Sequence, residues 1–402
     1  MLGKTNITAI EGGVIASDIE DYRWDRIRVE GITGTFVRAV YENDTLVVIT
    51  KDGMIAFTRD SENWSKVRLD IEGTYELTDI IWDGRRYVMV GSREEVIDQE
   101  YIYHGFIAVT ENLVEFNIIY VAADEYSRYY AVIEKDGKYI IISREHSSTL
   151  NGGVIVERIG DIENWASCLT KKIAEMSYEV KVIQNGWTHW ETHYVNVTNE
   201  CKITIAKNNL GGILYLDFRK YKGDNTERVK TVYWTPDWNT FGGIDSSEIL
   251  SCFACKGKTY FYNRDRILFK VNTDIGEKYN TGSNVFYTDA VYYDKCEIFL
   301  NENGIVIVRN KEDISEKTEN DLIEITYDFS MKLIVKAFTG LYILGTGGNI
   351  LKSNNEAKNE EALAVKTMSA FKALYDARLY TDEKYTALEA RIAALETAGT
   401  ES

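Results

Sequence analysis

The sequence has almost no proline: Pro236 is the single one in 402 residues. Proline-rich linkers between domains are therefore excluded. Cysteine is sparse as well, with five residues, Cys168, Cys201, Cys252, Cys255 and Cys296. An odd count in apolar or strand-like contexts fits buried, reduced thiols in a reducing cytoplasm better than a disulfide framework. Cys252 and Cys255 have the spacing of a metal or redox pair, but no second pair accompanies them. Ser251 to Cys255 alternates as a strand does, which sets the two thiols on opposite faces, so no metal is expected. Positive charge is in deficit, with 46 Lys and Arg against 63 Asp and Glu and a net charge of −17. Without a basic stripe to displace counterions, nucleic acid and anionic membrane are not expected partners. There is no run of about 18 apolar residues, so no membrane insertion is expected. The segment Met1 to Asn6 has no apolar stretch of the secretory type, and the expectation is a protein made and folded in the cytoplasm.

Aromatic side chains are abundant instead. Tyr (27) and Trp (8) favour strands over helices, and a hydrophobic fraction of 45% can fill a sizeable core. One stretch sets the pattern: Gly53-Met54-Ile55-Ala56-Phe57-Thr58-Arg59-Asp60-Ser61-Glu62-Asn63-Trp64. Met54 and Ala56 fall on one face of a strand, Ile55 and Phe57 on the other. Thr58, Asp60 and Asn63 are turn formers whose short side chains can bond the loop's own amides. Trp64 can fold back beneath the turn as an apolar lid. Related turns occur at Ser17-Asp18 with Trp24 and at Asp161 with Trp165, and a degraded one at Glu111-Asn112 with Phe116. The order Gly-x-Ile-x-x-Thr-x-Asp-x-x-x-Trp resembles the Asp-box hairpin of sialidase-type β-propellers.

Upstream of each such hairpin lies a second unit, in which two apolar strands flank a two-residue turn. The clearest is Ile80-Ile81-Trp82-Asp83-Gly84-Arg85-Arg86-Tyr87-Val88-Met89-Val90, where Asp-Gly signals a type I′ hairpin. Further copies turn at Asn43-Asp44, Asp136-Gly137, Asn199-Glu200, Lys256-Gly257, Asp294-Lys295 and Thr339-Gly340. New strands are expected to follow at Gly53, Gly105, Gly153, Gly212, near Arg266, and at Gly304 and Gly348. This is the spacing of four-stranded propeller blades. The ring must close, since open edge strands invite aggregation. N-terminal strands are expected to complete the last blade, with either the Val14-Ile15 strand or Asn349 to Lys352 in its third position.

After Ser353 the composition changes. Ser353 to Glu356 can form a capping box, and Ala, Leu, Glu and Lys then dominate without Gly or Pro to Leu395. Phe371, Leu374, Tyr385, Leu388, Ile392 and Leu395 recur at three- and four-residue spacing, a coiled-coil seam that needs a partner to bury it. The expected fold is thus all-β, a seven-bladed β-propeller over 1–353, followed by a long C-terminal α-helix over 354–402 that serves assembly.

Chemistry is less legible. The catalytic sialidases carry an aromatic-Arg-Ile-Pro motif, three carboxylate-gripping arginines and a Tyr/Glu nucleophile pair. Here Pro236 sits in Thr235-Pro236-Asp237 and no arginine set maps, so no catalytic residue is carried over. His189, Glu191 and His193 share one strand face, but their spacing matches no metal signature. Two aromatic concentrations lie nearby, Gly186 to Tyr194 and Tyr233 to Phe241. Trp187, Trp190, Tyr194, Trp234 and Trp238 are the candidates for a glycan-stacking rim. No cofactor is expected.

The segment Tyr385 to Glu396 is similar to the coiled-coil ends of phage tail-fibre and baseplate proteins of Gram-positive hosts. That resemblance implies a non-enzymatic structural or receptor-binding component of a phage or phage-like contractile tail. It would be assembled in the bacterial cytoplasm and carried in the particle. Its helix would meet other tail or baseplate proteins or further copies of itself, and its propeller a protein or a cell-surface glycan. A sialidase-like glycan hydrolase and a cytosolic scaffold adaptor are the alternatives.

Overall fold

The computed structural model describes residues 23–354 apart from short stretches, the longest being 121–125, 195–201, 236–240, 280–286 and 310–319. The chain opens with β1 (Arg23–Arg28). It continues with β2 (Phe36–Glu42), β3 (Thr45–Thr50), β4 (Met54–Thr58) and β5 (Ser65–Arg68), which form one antiparallel sheet in that order. The next sheet holds β6 (Thr74–Trp82), β7 (Tyr87–Ile97), β8 (Glu100–Thr110) and β9 (Asn117–Tyr120). A third holds β10 (Tyr126–Lys135), β11 (Lys138–Ser147), β12 (Leu150–Gly160) and β13 (Leu169–Glu175). Then comes a separate two-stranded sheet, β14 (Ser177–Gln184) with β15 (Trp187–Tyr194). Four-stranded sheets resume with β16 (Lys202–Lys207), β17 (Gly212–Lys222), β18 (Asn225–Thr235) and β19 (Gly242–Asp245). They continue with β20 (Ile249–Cys255), β21 (Lys258–Asn263), β22 (Leu268–Val271) and β23 (Gly276–Tyr279). Next are β24 (Tyr287–Tyr293), β25 (Cys296–Asn301), β26 (Gly304–Arg309) and β27 (Asn320–Glu324). Finally β28 (Met331–Ala337), β29 (Gly340–Gly345) and β30 (Asn349–Asn354) are joined by β1, in the order β1-β30-β29-β28.

The innermost strands β2, β6, β10, β16, β20, β24 and β28 neighbour one another in turn, and β28 returns to β2. This is a β-propeller. Apolar side chains fill the wedges between sheets. Val47, Ile49, Leu77 and Phe106 pack the first wedge, Val88, Ile107, Val132 and Ile141 the next, and Leu46, Val48, Tyr342 and Leu344 the one that closes the ring.

The expected architecture, a seven-bladed propeller followed by a long C-terminal α-helix, is corrected here. The described residues contain no α-helix, only a 3-10 segment at Ile162–Ser167. Nor are the sheets a uniform run of blades, because β14 and β15 form an extra hairpin between two of them. The seam residues Phe371, Leu374, Tyr385, Leu388, Ile392 and Leu395 lie outside the described residues. At the closure, β30 takes the third position and β1 the fourth, while Val14 and Ile15 lie outside the described residues.

Turn chemistry explains where the hairpins form. Asn43 and Asp44 both have positive φ (50° and 51°), as do Asp136 and Gly137 (53° and 75°), and each pair joins its strands in two residues. Asp83-Gly84 does not. Trp82 pairs with Tyr87, so the loop has four residues, closed by the Asp83 carboxylate accepting the amides of Arg85 and Arg86 at 2.9 and 2.7 Å. Thr339-Gly340 is also shifted, since Ala337 pairs with Gly340 and Phe338 takes the positive φ. Asn199 and Glu200 lie outside the described residues, and the strands before and after them do not pair with each other. Trp187–Tyr194 pairs with Ser177–Gln184, and the next blade starts afresh at β16, whose partner is β17.

Asp60 organises its turn as the sequence suggests. Its Oδ1 accepts the amides of Glu62 and Asn63 at 3.0 and 2.7 Å, and its Oδ2 the Asn63 side-chain amide at 2.7 Å. These bonds, the Asn63 side chain first, hold its carboxyl well below the usual range. Trp64 is half-buried against the wedge that closes the ring. Asn112 repeats the geometry, its Oδ1 accepting the amides of Val114 and Glu115 at 2.9 Å each. Ser61 and Leu113, the residues that follow, share a left-handed φ of 66° and 61°. The turn read as degraded is thus the faithful copy, whereas Asp161 makes no side-chain cap and leads into the 3-10 segment. Ser17 and Asp18 lie outside the described residues, and Trp24 is buried.

Two measurements test these packing statements. Asp60→Asn should melt close to the parent, because Asn112 shows that an amide oxygen serves, while Asp60→Ala should melt lower. Equal melts for Asn and Ala would contradict the bonding scheme. At Gly105, an added Cβ would stand 2.5–2.8 Å from the ring of the fully buried Tyr129. Gly105→Ala should therefore cost about 1–3 kcal/mol in urea unfolding.

Candidate functional site

The inner strands carry a recurring irregularity. Their ladders slip by one residue between Phe36 and Arg38, Leu77 and Asp79, Tyr129 and Ala131, Ile249 and Ser251, Tyr287 and Asp289, and Met331 and Leu333. A bulge leaves its extra residue unpaired and re-aims the side chains around it. Phe36, Leu77, Tyr129, Tyr287 and Met331, just before the slip, are all buried. Arg38, Asp79, Ala131, Ser251, Asp289 and Leu333, just after it, are equivalent positions. The bulges gather at a central cavity of about 480 Å³ lined by Arg38, Thr78, Asp79, Lys207, Thr288 and Asp289, among others.

Asp79, fully buried, is the hub. Arg38 Nε on β2 stands 3.2 Å from its Oδ1, and Arg38 also donates to the Ile205 carbonyl on β16 at 2.9 Å. The amide of Val132 on β10 donates to Asp79 Oδ2 at 2.8 Å. The Lys207 ammonium on β16 donates to that same oxygen and to the Val132 carbonyl. Four inner strands are thus tied through one carboxylate. Burial pulls the Lys207 ammonium down to about 8 against the opposing pull of Asp79.

Asp289 is the second carboxylate of this type. Its Oδ2 accepts the amide of Ile334 on the next inner strand at 2.9 Å, as Asp79 accepts that of Val132. The preceding threonines match too, with Thr78 donating to the Val90 carbonyl at 3.1 Å and Thr288 to that of Leu300 at 3.4 Å. Val90 and Leu300 are the register partners of Asp79 and Asp289. Burial pushes Asp289 up to about 6, offset in part by the amides of Ile334 and Ala290 and by the charge of Arg38. Sequence reading missed this pair. The available signal was the repeated Thr-Asp-apolar-apolar run, Thr78-Asp79-Ile80-Ile81 and Thr288-Asp289-Ala290-Val291.

In the wall of the same cavity, Arg128 holds Glu76 in a fork at 2.5 and 2.8 Å, with its guanidinium 4.5 Å from the Tyr103 ring centre and 5.7 Å from that of Tyr130. Tyr103 belongs to a projecting hairpin. The two middle strands have ten or eleven residues in three successive four-stranded sheets (β7 and β8, β11 and β12, β17 and β18), against four to six in the other four. Val96, 61% exposed, lies near the tip of β7–β8. The β14–β15 hairpin is inserted within this run, directly after β13, whose last residue Glu175 pairs with Val154 toward the tip of β11–β12.

Of the rim residues expected from sequence, Trp187, Trp190 and Tyr194 are all on β15, with Trp190 and Tyr194 at the opposite strand parity from Trp187. His189, Glu191 and His193 share the parity of Trp187. Trp234 is on β18 in a different sheet, where it pairs with Gly242. Trp238 lies outside the described residues.

No protein-family model matches the chain, and no curated protein matches it. Solved structures resemble the chain. YCF48 from Cyanidioschyzon merolae is 11% identical over 83% of this chain and 99% of its own, with a TM-score of 0.50. Virginiamycin B lyase from Staphylococcus aureus is 9% identical over 83% and 99%, with a TM-score of 0.49. The WD40 β-propeller domain of Doa1 is 10% identical over 84% and 98%, with a TM-score of 0.46. At 11% identity the likeness to YCF48 speaks for the fold and for no activity.

Asp289 yields a pH test. The unfolded carboxyl titrates near 3.8 and the folded one at about 6. Between those values the unfolded chain has lost its proton while the folded protein keeps it, so this residue lowers stability as pH rises through the window. Asparagine has no proton to lose. Asp289→Asn should gain about 1–3 kcal/mol on the parent between about pH 4 and pH 7, read by urea unfolding at each pH. A difference that does not vary with pH would contradict the assignment.

Proposed function

We propose that the chain is a non-enzymatic binding component that meets its partner through the hairpin-bearing face of the propeller. The observation that carries this reading is the gathering of three lengthened blade hairpins and the inserted β14–β15 hairpin in one run of the ring. Stability of the ring does not require them, since the four sheets with short middle strands close their wedges without such extensions. Lengthened hairpins on a rigid scaffold are where binding residues concentrate. The charged centre favours the same reading, because its carboxylates tie blades together.

The finer reading is a structural or receptor-binding component of a phage or phage-like contractile tail. Such a protein is assembled in the bacterial cytoplasm and carried in the particle. Its support is the Asp60 turn with its faithful copy at Asn112, which resemble Asp-box hairpins, together with the tail-like sequence of Tyr385 to Glu396. In this reading residues 354–402 join other tail or baseplate proteins or a second copy of the chain. In the same reading Trp187, Trp190, Tyr194, Trp234 and Trp238 are the candidates for stacking on a cell-surface glycan.

The test is binding of the full chain to purified Gram-positive cell walls. Single Trp187→Ala and Trp190→Ala changes should weaken it by about 1–3 kcal/mol each, with the thermal melt unchanged. Replacing 177–194 by a short turn should abolish binding and leave the propeller folded. Undiminished binding by the shortened chain would overturn the assignment of this face.

A further inference from the structure

The equivalence of Asp79 and Asp289 extends beyond the carboxylates. At Asp79, the Lys207 ammonium lies between the carboxylate and the carbonyl of Val132, whose amide holds the other side of the same group. The amide and carbonyl of one strand residue point to the same side of the strand. The carbonyl of Ile334, whose amide donates to Asp289, therefore flanks that carboxylate as the Val132 carbonyl flanks Asp79. The two places share the bulge, the threonine and the backbone anchor.

They differ in the cation. Asp79 is met by Arg38 and Lys207. Among the described residues no basic side chain forms an ion pair with Asp289, and Arg38 is engaged by its ion pair with Asp79 and its hydrogen bond to the Ile205 carbonyl. Asp289 lines the central cavity of about 480 Å³, within the range of small-molecule sites, together with the apolar side chains of Phe253 and Leu333. An ionised carboxylate held this way burdens the fold unless a counter-charge arrives, a common cost at binding sites.

We propose that Asp289 anchors a site for a small primary amine in the central cavity, whose ammonium takes the place that the Lys207 ammonium holds beside Asp79. The carboxylate and the Ile334 carbonyl accept from the ammonium, and Phe253, Ala254 and Leu333 cover the aliphatic chain. This site rests on Asp289 and not on the lengthened hairpins, and stands whether or not the hairpin-bearing face binds a partner.

The probe is cadaverine, which carries an ammonium on a lysine-length chain, titrated calorimetrically into the full chain at about pH 7.5. Saturable binding is expected, with no binding of the neutral pentan-1-ol. Asp289→Asn should weaken cadaverine binding at least about tenfold, while its melt is no lower than the parent's. Leu333→Lys, which offers an internal ammonium from the neighbouring strand, should also remove binding. Absence of cadaverine binding to the parent up to about 20 mM would overturn the proposal. So would binding to Asp289→Asn within about twofold of the parent.

Discussion

One carboxylate, Asp79, decides how the ring is held at its centre. Backbone ladders run within the sheets, and at the closing seam the segments leading into β2 and β30 meet through a few bonds such as Gly347 N–H to the Gly34 carbonyl at 3.1 Å, so elsewhere side chains must hold one blade against the next. Asp79 does so on one side by receiving an amide from β10, a guanidinium from β2 and an ammonium from β16. Such a cluster adds little net stability compared with apolar packing, because three charges must leave water. What it adds is definition. An apolar centre of the same volume would tolerate sliding, whereas a charge network permits one register. The wedges of Val, Ile, Leu and aromatic side chains supply the larger share of the stabilisation.

Much of the strand rhythm was legible because turn chemistry is local. Asn43-Asp44 and Asp136-Gly137 form the turns that their φ preferences dictate, and Asp60 bonds the amides its position demands. Where a side chain competes with the backbone, local signals mislead. Asp83-Gly84 carries the strongest two-residue signal in the chain, yet Asp83 uses its carboxylate to close four residues, because Tyr139 and Arg86 also bind that group. The insertion β14–β15 was not legible as a hairpin of its own, since its aromatic-rich second strand carries no turn signal that sets it apart from a blade.

The channel was illegible for a different reason. A bulge breaks the two-residue period at the point where the strand turns toward the axis. Leu77 and Asp79 then seem to share a face, and the aspartate looks like an error of pattern. Only the recurrence of the same Thr-Asp sequence in a distant strand marks it as built. Pairing of Arg38 with Asp79 and Lys207 is set by the ring and leaves no trace in spacing. The masking of charge by partners far along the chain is what a net value of −17 conceals.

The closing sheet has a temporal side. Arg26 on β1 binds Asn349 on β30, 323 residues further along the chain. On the ribosome, β1 has no sheet to join until nearly the whole propeller has emerged, and β28 and β29 lack their outer strands until then. Every nascent length short of β30 is an open arc with two raw sheet edges, the form most prone to pair with another chain. The ring is therefore a late, all-at-once event in the life of each molecule. Its apolar wedges form blade by blade, but the ring is closed only after the first strand has been captured by the last.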